Sequence, residues 1–122
     1  MEYESIPEIT KLEVEESIKR NDPEELLYTV LSVALYSEDL NWAESICLKL
    51  AKHPHFNVRG NAILGFGHLA RIHGKLTEKN IKPIIEAALQ DEDEYVRGQA
   101  WSASDDVEHF LKWKVKKPLI DN

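Results

Sequence analysis

The sequence predicts an all-α protein, an α-solenoid of about three antiparallel helix pairs with six helices in all. Three observations lead there. A segment occurs twice, as Val58-Arg59-Gly60-Asn61-Ala62 and, 38 positions later, as Val96-Arg97-Gly98-Gln99-Ala100. Each copy opens a helix, and each follows an apolar segment closed by a turn, Trp42 to Lys52 and Ile81 to Gln90. The unit that repeats is therefore a helix pair, and a period of this length is the signature of a solenoid. The third observation is Leu26 to Tyr36, apolar or aromatic at nearly every position, which implies a helix covered on most sides, as the middle of a layered bundle requires.

The elements follow in order. Ile6 to Arg20 reads as a first helix, with Ile6, Ile9, Leu12 or Glu13 and Ile18 at three- and four-residue steps and Lys19 and Arg20 at its carboxyl end, where cations suit the dipole. Asn21-Asp22-Pro23 stops it and starts the next, Asp22 as N-cap and Pro23 at the first helical position. Ser37-Glu38-Asp39 caps a third helix with an apolar face of Trp42, Ile46, Leu48 and Leu50, and Pro54 ends it. The fourth runs from about His55 to Ile72 and leaves through His73-Gly74. Within it Gly60, Gly65 and Gly67 each cost about 1 kcal/mol against alanine, a cost that implies close approach of a neighbouring helix or a partner. Thr77 and Asn80 begin the fifth helix, with Pro83 in its first turns. The sixth runs from near Asp93 to Phe110, although Ser102, Ser104, Asp105 and Asp106 are weak helix formers.

Aligning Leu27 with Val58 puts Leu31 on Ala62 and Ala34 on Gly65, so the first pair looks like a degenerate copy of the unit. The chain is then one domain over 1–122, with pairs at about 6–37, 39–73 and 77–111 and a tail, 112–122, whose Trp113 and Val115 cap the stack while its lysines face water. The Val-Arg-x-x-Ala core, with Asp93 four residues before Arg97, resembles the second-helix signature of HEAT and HEAT-like repeats. In that family the arginine pairs with an acid of the preceding turn. The resemblance thus gives Val58, Arg59, Ala62, Asp93, Val96, Arg97 and Ala100 structural roles and pairs Asp93 with Arg97. At the position equivalent to Asp93 the first copy has His55, which leaves Arg59 freer to meet a partner.

The composition bounds the function. With 122 residues, 43% of them hydrophobic and 30% charged, the chain can bury one core without disulfides. No apolar run suggests a membrane span, and Met1 to Ser5 lacks the basic-then-apolar order of a secretory signal, so a cytoplasmic location is expected. The lone cysteine, Cys47, lies in an apolar segment and reads as a buried, inert thiol. The net charge of −7 is unevenly spread: 12 acids stand against 3 bases up to Leu48, 2 against 7 from Lys49 to Gln90, and 8 against 5 thereafter. An acidic first layer disfavours nucleic acid, whose phosphates need a field of Lys and Arg. It favours a cationic protein partner met by fast, salt-sensitive association.

Three clusters carry candidate chemistry. His53, His55, His68 and His73 lie within one helix pair but lack metal-ligand spacing, and no metal or cofactor is expected. Trp101, Asp105 and Asp106, with Glu108 and His109 nearby, loosely resemble the tryptophan and aspartate of HEAT-like DNA glycosylases. The chain lacks the basic groove such enzymes need, and no catalytic residue is assigned. The third is the line of second helices, which forms the concave surface in the family. Helical spacing turns Asn61, Leu64 and His68 outward, and the shift of 38 carries these to Gln99, Ser102 and Asp106. Trp101 and Asp105 flank the stripe, and Tyr28 and Tyr36 extend it. An aromatic and acidic strip suits a basic protein partner.

These features point to a non-enzymatic protein-binding module with no small-molecule substrate. An acidic domain of this size also resembles a stand-alone bacterial immunity protein that neutralises a cationic toxin, such as a nuclease, by stoichiometric binding. Two other classes stay open: a HEAT-like adaptor or assembly subunit, and a HEAT-like nucleic-acid enzyme.

Overall fold

The computed structural model describes residues 6–119. Six helices occupy them, α1 (Lys11–Arg20), α2 (Pro23–Tyr36), α3 (Leu40–Leu50), α4 (Phe56–His73), α5 (Glu78–Ala88) and α6 (Glu94–Leu111), and no strand occurs among the described residues. The ends follow local capping chemistry. Asp22, Asp39 and Asp93 each accept a hydrogen bond from a backbone N–H of the first turn that follows them, and His55 does so through its ring Nδ1. Gly74 closes α4 in the left-handed conformation at φ 69°.

The first helix is shorter than its apolar spacing predicts. It starts at Lys11 because Thr10 and Glu13 form a capping box: each side chain accepts from the other's backbone N–H, at 3.1 and 3.0 Å. Residues 6–10 instead cross the outside of α2. Ile6 is buried there, and Ser32 Oγ donates to the Pro7 carbonyl at 2.8 Å. Pro83 lies at the sixth position of α5, beyond the first turn.

The centre of the fold is α4, which packs against both α2 and α6, while α1, α3 and α5 each pack on the helix that follows them. Val58, Ala62, Val96 and Ala100, the apolar positions of the repeated segment, are all fully buried. The α4 glycines allow this proximity. A Cβ on Gly67 would lie 2.5 Å from Asp106 Oδ2 and 3.3 Å from the Ala103 Cα, and one on Gly60 would lie 2.7 Å from the Tyr95 ring. These approaches come from neighbouring helices of the same chain.

The arginines do repeat a structural task, but it is a different one from acid pairing within the turn. Arg59 Nη1 donates to the His53 carbonyl at 3.1 Å, and Arg97 Nη1 donates to the Asp91 carbonyl at 2.7 Å; each bond runs six residues back, and the pair are related by the shift of 38. Asp93 does not pair with Arg97, because its carboxylate caps α6 through the N–H groups of Tyr95 and Val96. Nor is Arg59 left open. Its guanidinium holds both oxygens of Asp91, in the turn before α6, at 2.9 Å each, and both side chains are only 16% exposed. This bidentate pair ties the second helix pair to the third.

The segment after α6 turns at Lys112 (φ 61°) and lies along α5 and α6. The N–H of Lys116 donates to Glu86 at 2.7 Å, Lys117 Nζ reaches Glu108 at 2.5 Å and lies 5.8 Å over the Trp101 ring, and Val115 is buried.

Candidate partner-binding surface

The expected strip does not survive as one surface. Asn61 and His68, placed outward by helical spacing, are buried at 1% and 7% exposure. Helical spacing alone leaves α4 a solvent face, whereas α2 and α6 flank it on both sides. Asn61 Nδ2 donates to the Leu27 carbonyl of α2 at 3.0 Å and its Oδ1 accepts from the Tyr95 hydroxyl of α6. His68 Nδ1 lies 3.3 Å from an Arg71 guanidinium nitrogen. Burial, and then the Arg71 charge, push the His68 pKa down to about 4, so the ring is neutral at pH 7. Leu64 is half-buried.

The accessible members of the strip divide between two helices. On α6, Ser102 and Asp105 are exposed, and Gln99, Trp101 and Asp106 are half-buried. Burial raises the Asp106 pKa against the opposing pull of Arg71. On α2, Tyr28 is 51% and Tyr36 37% exposed, and both face the side where residues 6–10 cross the helix.

Around these tyrosines lie two clefts that the sequence did not disclose. The first, of about 350 Å³, is walled by Tyr36 and Trp42 and rimmed by Glu8, Glu38 and Asp39. Asp39 is held by Lys11 at 2.6 Å and by the Trp42 N–H, which together lower its pKa, and the Lys11 ammonium sits 5.1 Å over the Trp42 ring. The second, of about 430 Å³, is walled by Tyr28 and rimmed by Glu13, Glu16 and Glu25. Arg20 grips Glu25 there through two bonds of 3.0 and 2.7 Å. Ile9 and Ser32 line both clefts and form the ridge between them. The readable signals were Pro7 and the Thr10-x-x-Glu13 box, which set residues 6–9 outside the helix.

The histidines have separate tasks. His53 Nε2 lies 2.7 Å from Asn21 Oδ1, its Nδ1 accepts from the His55 N–H, and His55 caps α4. Among the described residues no three His, Cys, Asp or Glu side chains form a group that could hold a metal ion. Cys47 is fully buried, and desolvation, followed by the nearby Glu44 charge, pushes its thiol up to about 12. Such a thiol is neutral and poorly nucleophilic. No helix among the described residues is long and apolar enough to cross a membrane.

No family model matches the chain, and no curated protein matches it. It is similar in structure to a chain in the crystal structure of a CDI complex from Cupriavidus taiwanensis LMG 19424, with a TM-score of 0.76. The two are 26% identical, and the likeness covers 90% of this chain and 97% of that one.

Proposed function

We propose that this chain is a cytoplasmic immunity protein that binds and neutralises a cationic toxin, without catalysing a reaction. The observation that carries this is the end-to-end likeness to a chain of a CDI complex, CDI being contact-dependent inhibition, a toxin–immunity system. A chain that shares both fold and length with a member of such a complex has the means to form one of its own. The charge supports the choice of partner: a net −7, with 12 acids against 3 bases up to Leu48, attracts a cationic domain and repels a nucleic acid.

The scaffold is proposed to be a HEAT-like solenoid. That assignment draws support from the matched burial of Val58 with Val96 and of Ala62 with Ala100, and from the shared arginine-to-carbonyl bond. A rigid stack presents its side chains at little entropic cost on binding. Stoichiometric inhibition needs only that, with carboxylates covering the cationic site where the toxin grips its substrate.

The test is co-expression of the chain with the product of whatever reading frame lies beside its own. A 1:1 complex by calorimetry, loss of toxin activity in that complex and restored growth are expected. A complex that leaves the toxin fully active would point to an adaptor, and hydrolysis of nucleic acid by the chain alone would point to an enzyme; either would overturn the proposal.

A further inference from the structure

The strip expected along the second helices fails at α4, and the two clefts beside α2 have the features it was meant to supply. We propose that they form a paired site for two cationic side chains, best arginines, carried four residues apart on one extended segment of the partner. This rests on the toxin-binding role proposed above.

The clefts combine three properties. Each has an exposed tyrosine as its wall, and a guanidinium stacks on an aromatic face while its N–H fork meets carboxylates. Each also has carboxylate to spare. Glu8 and Glu38 on the first cleft make no hydrogen bond or ion pair among the described residues, and Glu16 on the second makes no hydrogen bond and meets only the charge of Arg20, whose guanidinium is held by Glu25, as Asp39 is held by Lys11. The internal pairs also show that this surface takes cations: Lys11 over Trp42 beside Asp39 is the arrangement an incoming side chain would copy.

The spacing follows from the helix. Tyr28 and Tyr36 are eight residues apart on α2, about 12 Å along the axis at ~1.5 Å per residue. An extended chain rises about 3.3 Å per residue, so residues i and i+4 span about 13 Å and lie on the same face. The ridge of Ile9 and Ser32 occupies the middle of that span. It is fixed, because Ser32 Oγ is bonded to the Pro7 carbonyl and Ile6 is buried. Of the three residues between the two cations, the middle one, i+2, faces this ridge and therefore has to be small.

The experiment titrates the full chain, labelled with 15N, with the blocked peptide Gly-Arg-Ser-Gly-Ser-Arg-Gly and with an isomer whose arginines are adjacent. Amide shifts centred on Tyr28, Ser32 and Tyr36 are expected, with the adjacent isomer about 2-fold or more weaker, because it reaches only one cleft at a time. Glu16→Gln with Glu38→Gln should weaken the spaced peptide about 2- to 5-fold at low salt. Those side chains are exposed, so the variant keeps its fold, and Tyr28→Ala with Tyr36→Ala provides a second variant. Shifts centred on Asp105, equal binding of both isomers, or no binding at about millimolar peptide would each overturn the paired site. Calorimetry of the same variants with the product of the adjacent reading frame separates the two proposals. Normal neutralisation with unchanged affinity sinks the paired site alone, whereas no complex with the parent chain sinks the toxin-binding role.

Discussion

Asn61 on α4 accepts a hydrogen bond from the hydroxyl of Tyr95 on α6, and its amide nitrogen donates to the Leu27 carbonyl on α2. One side chain, 1% exposed, therefore joins three helices. A buried donor that loses its partner bears the desolvation penalty alone, about 1 to 3 kcal/mol. Asn61→Ala is therefore expected to cost about 2 kcal/mol or more in urea melts, and Tyr95→Phe about 1 kcal/mol. The double variant should cost less than the sum of the two, since both changes remove the same shared hydrogen bond. Additive costs would show that the two side chains do not interact.

The second prediction contrasts two glycines that the repeat makes equivalent. Gly60 faces the Tyr95 ring at 2.7 Å from where a Cβ would be, whereas Gly98 has nothing within 4 Å among the described residues. The difference is positional, because α5 and α6 follow Gly60, whereas among the described residues no further helix follows α6. The ring cannot swing away from a new methyl group without breaking its bond to Asn61. Gly60→Ala should therefore destabilise by about 1 to 3 kcal/mol. Gly98→Ala should stabilise by about 0.5 to 1 kcal/mol through a less flexible unfolded chain. Thermal melts that moved both variants in the same direction would refute this packing.

Much of this was legible in the sequence, and the failures have physical causes. Helix ends followed Asp22-Pro23, Asp39, Asp93 and Gly74 because capping is local chemistry that neighbouring residues decide. The start of α1 was misplaced because Ile6 and Ile9 also fit a helical period, although the fold uses them in an extended crossing. Asn61 and His68 were turned outward by a rule that assigns each helix one apolar face. In α4 both flanks meet other helices, and polar groups are buried with partners across the interface. Its three glycines carried that information. The Asp91 partner of Arg59 lies 32 residues ahead, a contact that no local spacing rule reaches.

The third prediction concerns pH. His68 is neutral in the fold because burial lowers its pKa to about 4, while in the unfolded chain it titrates near its ordinary ~6.5. Below pH ~6.5 the unfolded state therefore binds a proton that the folded state refuses, and stability falls with pH until the folded ring also protonates near 4. The loss across that window is on the order of 3 kcal/mol at most. His68→Gln removes the titration and should flatten the stability profile between pH 7 and pH 4.5. The depressed carboxyl of Asp91, held by Arg59, acts lower: its stabilisation is complete above ~4 and fades as pH falls through its folded value. A His68→Gln profile as steep as the parent's would place the acid sensitivity elsewhere.

The last prediction separates the two neighbouring aspartates of α6. Asp105 is exposed, whereas Asp106 is half-buried against α4, with its Oδ2 2.5 Å from where a Gly67 Cβ would be and the Arg71 charge nearby. Reversing the two charges together would confuse binding with folding, so the single variants are the informative ones. Asp106→Lys puts a longer cation into a half-buried position beside Arg71 and should cost about 1 to 3 kcal/mol of stability by crowding against α4. Asp105→Lys should stay within about 0.5 kcal/mol of the parent, and it is the clean probe of α6. If the partner's cations seat beside α2, this variant changes only the long-range field. The complex should then weaken by less than about 5-fold, with the change confined to the association rate and vanishing at high salt. Stopped-flow mixing with the product of the adjacent reading frame at two salt concentrations measures it. A faster dissociation rate for Asp105→Lys that persists in high salt would put Asp105 inside the interface and return the binding surface to α6.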